Sequence, residues 1–352
     1  MCGVSGAYGA GSGTSATIAA GVRRMTAQLT HRGPDDRGWL QRDDVILAHN
    51  RLSIIDLSDC GRQPMPNETG TVWACYNGEI YNYDALRAQL AALGHHFNSK
   101  SDTEVLVHGY ESWGIHGLLT RLRGMFAFAL YEAGASDNAG SGVLYLARDR
   151  FGIKPLYFSG AADGSTLIFA SEVRALMKSG SIRSDEDPRG WLGYLLFGSV
   201  PSPWTTYRAI QTLPAGCYLE ARPNGFKLDR YFDVGESFLA GEEFRAITPH
   251  APNGRKPVDA KEDFHRSLRS VLEETVRLHL LSDAPLGVFL SGGIDSSALV
   301  SLAAREKQEL RTVGIVFDEA EYSEERYQRM VAERYHTDHR SIRITAADGR
   351  DG

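Results

Sequence analysis

The 352-residue chain contains no apolar run long enough to span a bilayer, and its N-terminus lacks a basic stretch followed by a hydrophobic core. A membrane helix and a secretory leader are therefore not expected, and the reading is of a cytoplasmic protein. Long basic runs are absent as well, and a net charge of −6 offers nothing to nucleic acid. Cysteine is scarce: Cys2, Cys60, Cys75 and Cys217 are scattered, with no C-x-x-C pair and no Cys/His cluster at zinc spacing. Disulfide and metal-thiolate frameworks are thus not expected, and no metal ligand is assigned. A Walker A Gly-Lys-Ser/Thr and a dinucleotide fingerprint are both missing. Core-forming material is plentiful, with 42% hydrophobic and 23% charged residues, which excludes global disorder; the length favours two domains.

The first chemistry-bearing residue is Cys2. Removal of Met1, which a small second residue permits, leaves a thiol and a free α-amine on one residue. An α-amine ordinarily titrates at about 7.7–8.0, so it is partly neutral at physiological pH and can take the thiol proton. The alternative is an ordinary small residue near a frayed terminus. Val4 and Ala7 suit a buried strand leading away from Cys2, and Ile18, Val22, Met25 and Leu29 mark a helix over 16–29. His31-Arg32-Gly33-Pro34-Asp35 ends it.

Val45–Asp56 is a β-rich run in which Arg51 is embedded among apolar neighbours, so a carboxylate partner is expected. Val72–Tyr76 reads as a strand running into Asn77-Gly78-Glu79-Ile80-Tyr81-Asn82. Asn-Gly is a turn signal, and on such a turn an Asn amide and a Gly N–H can also aim two donors at one oxyanion. Ser101-Asp102-Thr103-Glu104 fits a capping box before Val105-Leu106-Val107. That cap leaves Asp102 free to bind an ammonium group. Gly124–Tyr131 and Val143–Ala147 read as buried strands joined by a Gly/Ser/Asn/Asp-rich loop. The second runs into Arg148-Asp149-Arg150-Phe151-Gly152-Ile153-Lys154-Pro155, where local ion pairs are the simple expectation. Phe169-Ala170-Ser171-Glu172 closes another strand.

In this order the motifs resemble the glutaminase domain of glutamine-dependent asparagine synthetases, one of the N-terminal-nucleophile amidotransferases. The resemblance covers about residues 2–218. It implies an α+β sandwich in which two antiparallel sheets lie between helical layers. It further implies that Cys2 attacks the side-chain amide of glutamine while Asn77 and Gly78 hold the oxyanion. Arg51 through Leu52, Ser53, Ile54 and Ile55 form part of the glutamine site, with Arg51 on the α-carboxylate; Glu79 and Asp102 receive the α-ammonium. Such a two-ended clamp suits a zwitterionic amino acid. This half is expected to need no cofactor.

Residues 219–260 are expected to connect two domains, with Gly235–Pro257 a polar linker or mobile loop. An amphipathic helix from Phe264 to Leu281 precedes a short strand, Pro285–Leu290, and then Ser291-Gly292-Gly293-Ile294-Asp295-Ser296-Ser297 opens another helix. Strand, Gly-rich turn and helix N-terminus make an anion cradle. This motif resembles the pyrophosphate loop of ATP pyrophosphatases. The likeness implies a parallel α/β domain over 261–352 in which Leu290 and Ile315 flank adenine, Ser291–Ser297 wrap the phosphates of ATP with Mg²⁺, and aspartate is activated as an acyl-adenylate. Ammonia made at Cys2 would reach it through an internal passage. The family's later motifs do not occur before Gly352, so this domain is expected to be incomplete, as in a fragment, a truncated product or a split enzyme. The chain alone is then expected to make little asparagine. A homodimer, or a separate chain completing the synthetase half, fits equally. Two other functions remain open here: a glutaminase or amidotransferase serving a different acceptor, and a non-enzymatic regulator that keeps the fold.

Overall fold

A computed structural model of the chain describes residues 1–9, 16–134, 142–160, 166–240, 257–319, 321, 323–345 and 348. It divides into two compact units, Met1–Ala240 and Gly241–Gly352.

The first unit is built on strands whose two faces are both apolar. In β1 (Gly3–Gly9), β3 (Val45–Arg51) and β9 (Thr166–Ala170), successive side chains alternate between two separate cores. Val4, Tyr8, Val45, Leu47, Leu167 and Phe169 enter one, while Ala7, Ile46, Ala48, Ile168 and Ala170 enter the other. This is what a strand period of two produces when a layer lies on each side. With β2 (Asp36–Gln41), β8 (Tyr157–Gly160) and β10 (Gln211–Thr212) they form a six-stranded antiparallel sheet in the order β10-β8-β9-β1-β3-β2. A second antiparallel sheet runs β12-β11-β7-β6-β5-β4. Its strands are β4 (Met65–Pro66), β5 (Val72–Ile80), β6 (Gly124–Glu132), β7 (Val143–Arg148), β11 (Cys217–Arg222) and β12 (Gly225–Arg230).

Between the sheets, small residues of the second (Cys75, Ala127, Ala129) receive large ones of the first (Tyr8, Phe169). The outer faces are covered by helices Ala16–Gln28 and Val173–Met177 on one side and Tyr83–Ala92 and Glu104–Arg121 on the other. The result is the expected αββα layering. Emptying one large position, for example Phe169→Ala, removes a fully buried ring, a change worth about 3–5 kcal/mol.

Several local expectations give way. Asn77 and Gly78 do not turn: they lie inside β5, opposite Ala127 and Phe126 of β6, because the neighbouring strand supplies a continuous ladder to Ile80. The capping box does not close. Helix Glu104–Arg121 has Thr103 as its N-cap without a side-chain bond, and Glu104 instead accepts from the Asn98 and Ser99 backbone nitrogens. Residues 219–230, expected in the connector, extend the second sheet as the β11–β12 hairpin. Val234–Ala240 is helical, and 241–256 lie outside the described residues, as does 135–141 of the expected β6–β7 loop.

In the second unit, β13 (Gly287–Phe289), β14 (Arg311–Phe317) and β15 (Asp338–Ile344) form a parallel sheet in that order. Its helices are Pro257–His279, Ile294–Glu306 and Glu325–Tyr335, and its core gathers Val276, Leu290, Val300, Ala303, Leu310 and Ala332. No helix among the described residues is long and apolar enough to cross a membrane.

Candidate active site

Cys2 stands one residue before β1, whose register pairs Gly3 with Asn50 and so sets the cysteine beside the end of β3. The Leu52 N–H donates to Sγ at 3.4 Å, and the thiol faces the Leu52 carbonyl at 3.6 Å. Arg32 anchors the backbone: Nε donates to the Cys2 carbonyl at 2.9 Å, and Nη1 bonds Glu172 at 2.9 Å. Burial opposes the Glu172 charge, but hydrogen bonds from Arg32, Arg174 and His31 outweigh it and hold the carboxyl at about 2. Burial also pushes the Cys2 thiol up, against the Leu52 N–H. The Cys2 thiol is therefore protonated at rest and would need a proton acceptor to act as a nucleophile. Met1 lines the same cavity, and while it is attached the Cys2 nitrogen is an amide.

The cavity is lined by Cys2, Arg51, Leu52, Ile54, Ile55, Gly61, Gln63, Tyr76, Asn77, Gly78, Glu79, Ser101, Asp102, Thr103 and Lys154 besides Met1. Of the residues marked in the sequence for this half, Ser53 alone is not on the wall; its N–H is turned to Asp35 Oδ2 at 2.8 Å.

Arg51 is buried without the expected carboxylate among the described residues. Its Nη1 donates to the Ser58 carbonyl at 2.8 Å and its Nη2 to the Asp56 carbonyl. The loop after β3 curls back to supply these carbonyls, helped by Asp56 at φ 55°, while the Asp56 carboxylate turns to the Ser58 and Lys100 N–H groups. Carbonyls fix the guanidinium without neutralising it, which leaves a full positive charge on the cavity wall. Gly61 makes the space: a Cβ there would stand 2.1 Å from Nη2.

Asn77 is 1% exposed, and its Nδ2 has no hydrogen-bond partner. A buried, unsatisfied amide donor costs about 1–3 kcal/mol, and here it belongs to a residue that lines the cavity together with Cys2. Gly78 has no room for a side chain, since a Cβ would meet the Met125 carbonyl at 2.1 Å. Asp102 Oδ2 accepts from the Tyr76 hydroxyl at 2.8 Å and the Ile80 N–H at 2.9 Å, yet burial wins and pushes its carboxyl up to about 6. Burial likewise raises Glu79, with Lys154 opposing.

Gly61, Gln63, Tyr76, Ser101, Thr103 and Lys154 line the wall without having been assigned to the site in the sequence, and two of them are tied into it by their own contacts. Lys154 is buried, and burial lowers its ammonium while Glu79 raises it. It is delivered by a loop that expected ion pairs do not explain. Asp149 is fully buried and accepts backbone N–H groups of Phe126, Phe151, Ile153 and Lys154. Arg148 in turn donates to the carbonyls of Lys154, Gly152 and Leu213. A lysine beside apolar residues in Gly-Ile-Lys-Pro was the available signal. Gln63 is the second: it accepts from the Tyr76 N–H at 2.6 Å and donates to Thr103 Oγ1 at 3.1 Å, tying two cavity walls together.

In the second unit, Ser291–Ser297 turns from β13 into helix Ile294–Glu306. Gly292 has φ 93°, and a Cβ there would press on Tyr327 and Gln328. Ser291 Oγ meets Ser296 Oγ at 3.0 Å and accepts from the Gly293 N–H at 3.3 Å, while Ser297 Oγ donates to the Gly293 carbonyl at 2.7 Å. The loop is thus a compact backbone cradle lined with hydroxyls, and Asp295 stands in the helix's first turn. Leu290 is fully buried beneath it; Ile315 is exposed on β14.

A glutamine amidotransferase domain family matches residues 1–232, and an asparagine synthase family matches 267–351. The chain is 36% identical over 305 residues to glutamine-hydrolyzing asparagine synthetase 1 of Bacillus subtilis, covering 86% of this chain and 44% of that one. It is 33% identical over 306 residues to asparagine synthetase 3 of the same organism, covering 84% and 45%. The chain thus spans less than half the length of these relatives. Among solved structures, a glutamine phosphoribosylpyrophosphate amidotransferase from B. subtilis aligns at 17% identity and TM-score 0.48, over 100% of this chain and 70% of that one. The chain belongs to the glutamine amidotransferase domain family and is similar, in both of its units, to glutamine-hydrolysing asparagine synthetases.

Proposed function

We propose that the first unit hydrolyses glutamine to glutamate and ammonia with Cys2 as nucleophile, and that the ammonia is used by an ATP-dependent step in the second. After loss of Met1, the Cys2 α-amine takes the thiol proton as Sγ bonds the amide carbon of glutamine. The oxygen, now negative, is held by Asn77 Nδ2 and the Gly78 N–H. The protonated amine returns its proton to the leaving nitrogen, which departs as ammonia and leaves a thioester. Water, deprotonated by the same amine, cleaves the thioester to glutamate and the free thiol. Arg51 pairs with the substrate α-carboxylate, and Glu79 and Asp102 with the α-ammonium.

The observation that carries this reading is the buried, partnerless Asn77 amide on the wall it shares with Cys2. No group among the described residues satisfies it; a tetrahedral oxyanion would. In the second unit we assign Ser291–Ser297 to the phosphates of ATP with its Mg²⁺, Leu290 and Ile315 to adenine, and aspartate as the acceptor, giving asparagine, AMP and pyrophosphate. The hydroxyls of Ser291, Ser296 and Ser297 and the Asp295 carboxylate are oxygen donors of the kind Mg²⁺ takes. We place the activity in the cytoplasm.

Glutamate release from glutamine tests the first half. Cys2→Ala is expected to abolish it, and turnover by that variant at the native rate would overturn the assignment of the nucleophile. Aspartate-dependent pyrophosphate release from ATP, measured with the remainder of the synthetase half supplied, tests the second, and its absence with aspartate but presence with another carboxylate would reassign the acceptor.

A further inference from the structure

Outside the cavity, one group of imidazoles and carboxylates converges on a single point. Glu68 lies in the loop between β4 and β5, His95 follows helix Tyr83–Ala92, and His108 and Glu111 stand one turn apart on helix Glu104–Arg121. One ligand atom from each falls within 4.8 Å of all the others. His108 Nδ1 is 3.3 Å from Glu68 Oε2 and 3.4 Å from Glu111 Oε2, and His95 Nδ1 is 3.9 Å from Glu68 Oε1 and from Glu111 Oε2. Four ligands at about 2.0–2.1 Å from a tetrahedral zinc ion stand about 3.4 Å apart. The closest observed spacings match this, and the widest, at no more than 4.8 Å, call for the four groups to draw together around the ion.

The surroundings fix these atoms in a ligating pose. Ser112 Oγ bonds His95 Nε2 at 2.8 Å, which turns Nδ1 inward. Asn67 Nδ2 donates to Glu111 Oε1 at 2.7 Å and leaves Oε2 to the cluster. His108 is 1% exposed; its Nε2 has no hydrogen-bond partner and points at the buried Glu104 carboxylate, 3.6 Å away. An outer carboxylate behind a histidine is the usual support of a metal-bound imidazole. Without an ion, two carboxylates compete for the single proton that His108 Nδ1 can offer.

We propose that Glu68, His95, His108 and Glu111 bind one zinc ion in a closed, tetrahedral, structural site of two imidazoles and two carboxylates. Four protein ligands leave no open position for a reacting water. The ion clips the Glu68 loop and the His95 segment to the helix whose preceding residues, Asp102 and Thr103, line the glutaminase cavity. The absence of cysteine from the set explains why cysteine spacing gave no sign of it.

The test is zinc titration of the full chain against a chromophoric chelator, in a Cys2→Ala background so that the nucleophile does not compete, together with the ligand-field spectrum after Co²⁺ substitution. One equivalent is expected, with an intense tetrahedral Co²⁺ spectrum. Glu111→Gln and His95→Gln, both at the partly exposed edge, are expected to weaken binding at least 100-fold, and Ser112→Ala, which touches no metal, about 10–100-fold. Folding is controlled by melting in chelator, where all variants should match the parent; added zinc should then raise the parent melt and leave Glu111→Gln unmoved. Failure to bind an equivalent, retention of zinc by the Glu111→Gln/His95→Gln pair, or a weak octahedral spectrum would each overturn the proposal.

Discussion

Asn77→Ala should separate catalysis from stability. If Nδ2 stabilises the oxyanion, its loss removes one preorganised donor, and comparable deletions lower kcat by about 10²–10³, or 2.7–4 kcal/mol. Because that contact exists only once the tetrahedral species forms, KM for glutamine should stay near its native value. Stability should move the other way or not at all. The resting protein now carries a buried donor with no acceptor, a burden of about 1–3 kcal/mol that the substitution lifts, offset in part by the small void left behind. For a unit of this size each kcal/mol is about 2–4 °C in Tm, so the melt is expected to hold or rise by a few degrees. Steady-state glutamate release and thermal melting of one preparation decide the matter. A native kcat, or a loss of activity that follows a fall in Tm, would refute the oxyanion assignment.

Gly61→Ala puts a methyl group onto the Arg51 guanidinium and should raise KM for glutamine about tenfold or more with kcat nearly kept, measured by the same assay. Asp102 gives a pH signature. Its carboxyl is raised to about 6, so its contribution favours the fold below the unfolded value near 4 and is lost as pH climbs through 6. KM for glutamine should therefore rise below pH 6, where the charge that meets the ammonium is lost; in Asp102→Asn, KM should be high and flat across that range, and denaturant stability at pH 8 greater than native. Glu172 has the opposite sign: held at about 2, its carboxylate stabilises above its ordinary range and loses that effect as pH falls towards 2. Glu172→Gln should flatten acid unfolding monitored by circular dichroism over that window and, by loosening Arg32 from the Cys2 carbonyl, lower kcat.

Much of the strand and helix content was legible because both faces of β1, β3 and β9 are apolar and the 16–29 and 264–281 stretches are periodic, although the second helix starts earlier, at Pro257. Contacts made across distant segments were not. Arg51 advertised a need for charge compensation, but the answer was two carbonyls of a loop whose curl depends on Asp56, Ser58 and Gly61 together. Asn77-Gly78 carried a turn signal that the pairing with Ala127 and Phe126 overrode. Glu104 fits a capping box on paper, yet the Asn98 and Ser99 N–H groups and His108 claim it instead. Lys154 becomes a wall residue only through Asp149, and the Glu68, His95, His108 and Glu111 cluster draws on three segments whose spacing has no local periodicity.

The bond from Arg32 Nε to the Cys2 carbonyl lies on the far side of that residue from Met1, while Nη2 of the same arginine reaches Met1 Sδ at 3.9 Å. That Nε bond and the β1–β3 register draw on Cys2 and later residues alone, so both would survive loss of the methionine. On the proposed mechanism, excision of the initiator would then behave like zymogen processing without a rearrangement: the scaffold is finished beforehand, and a single peptide cleavage would unveil the base. Timing of activity would then rest with the aminopeptidase that trims the nascent end.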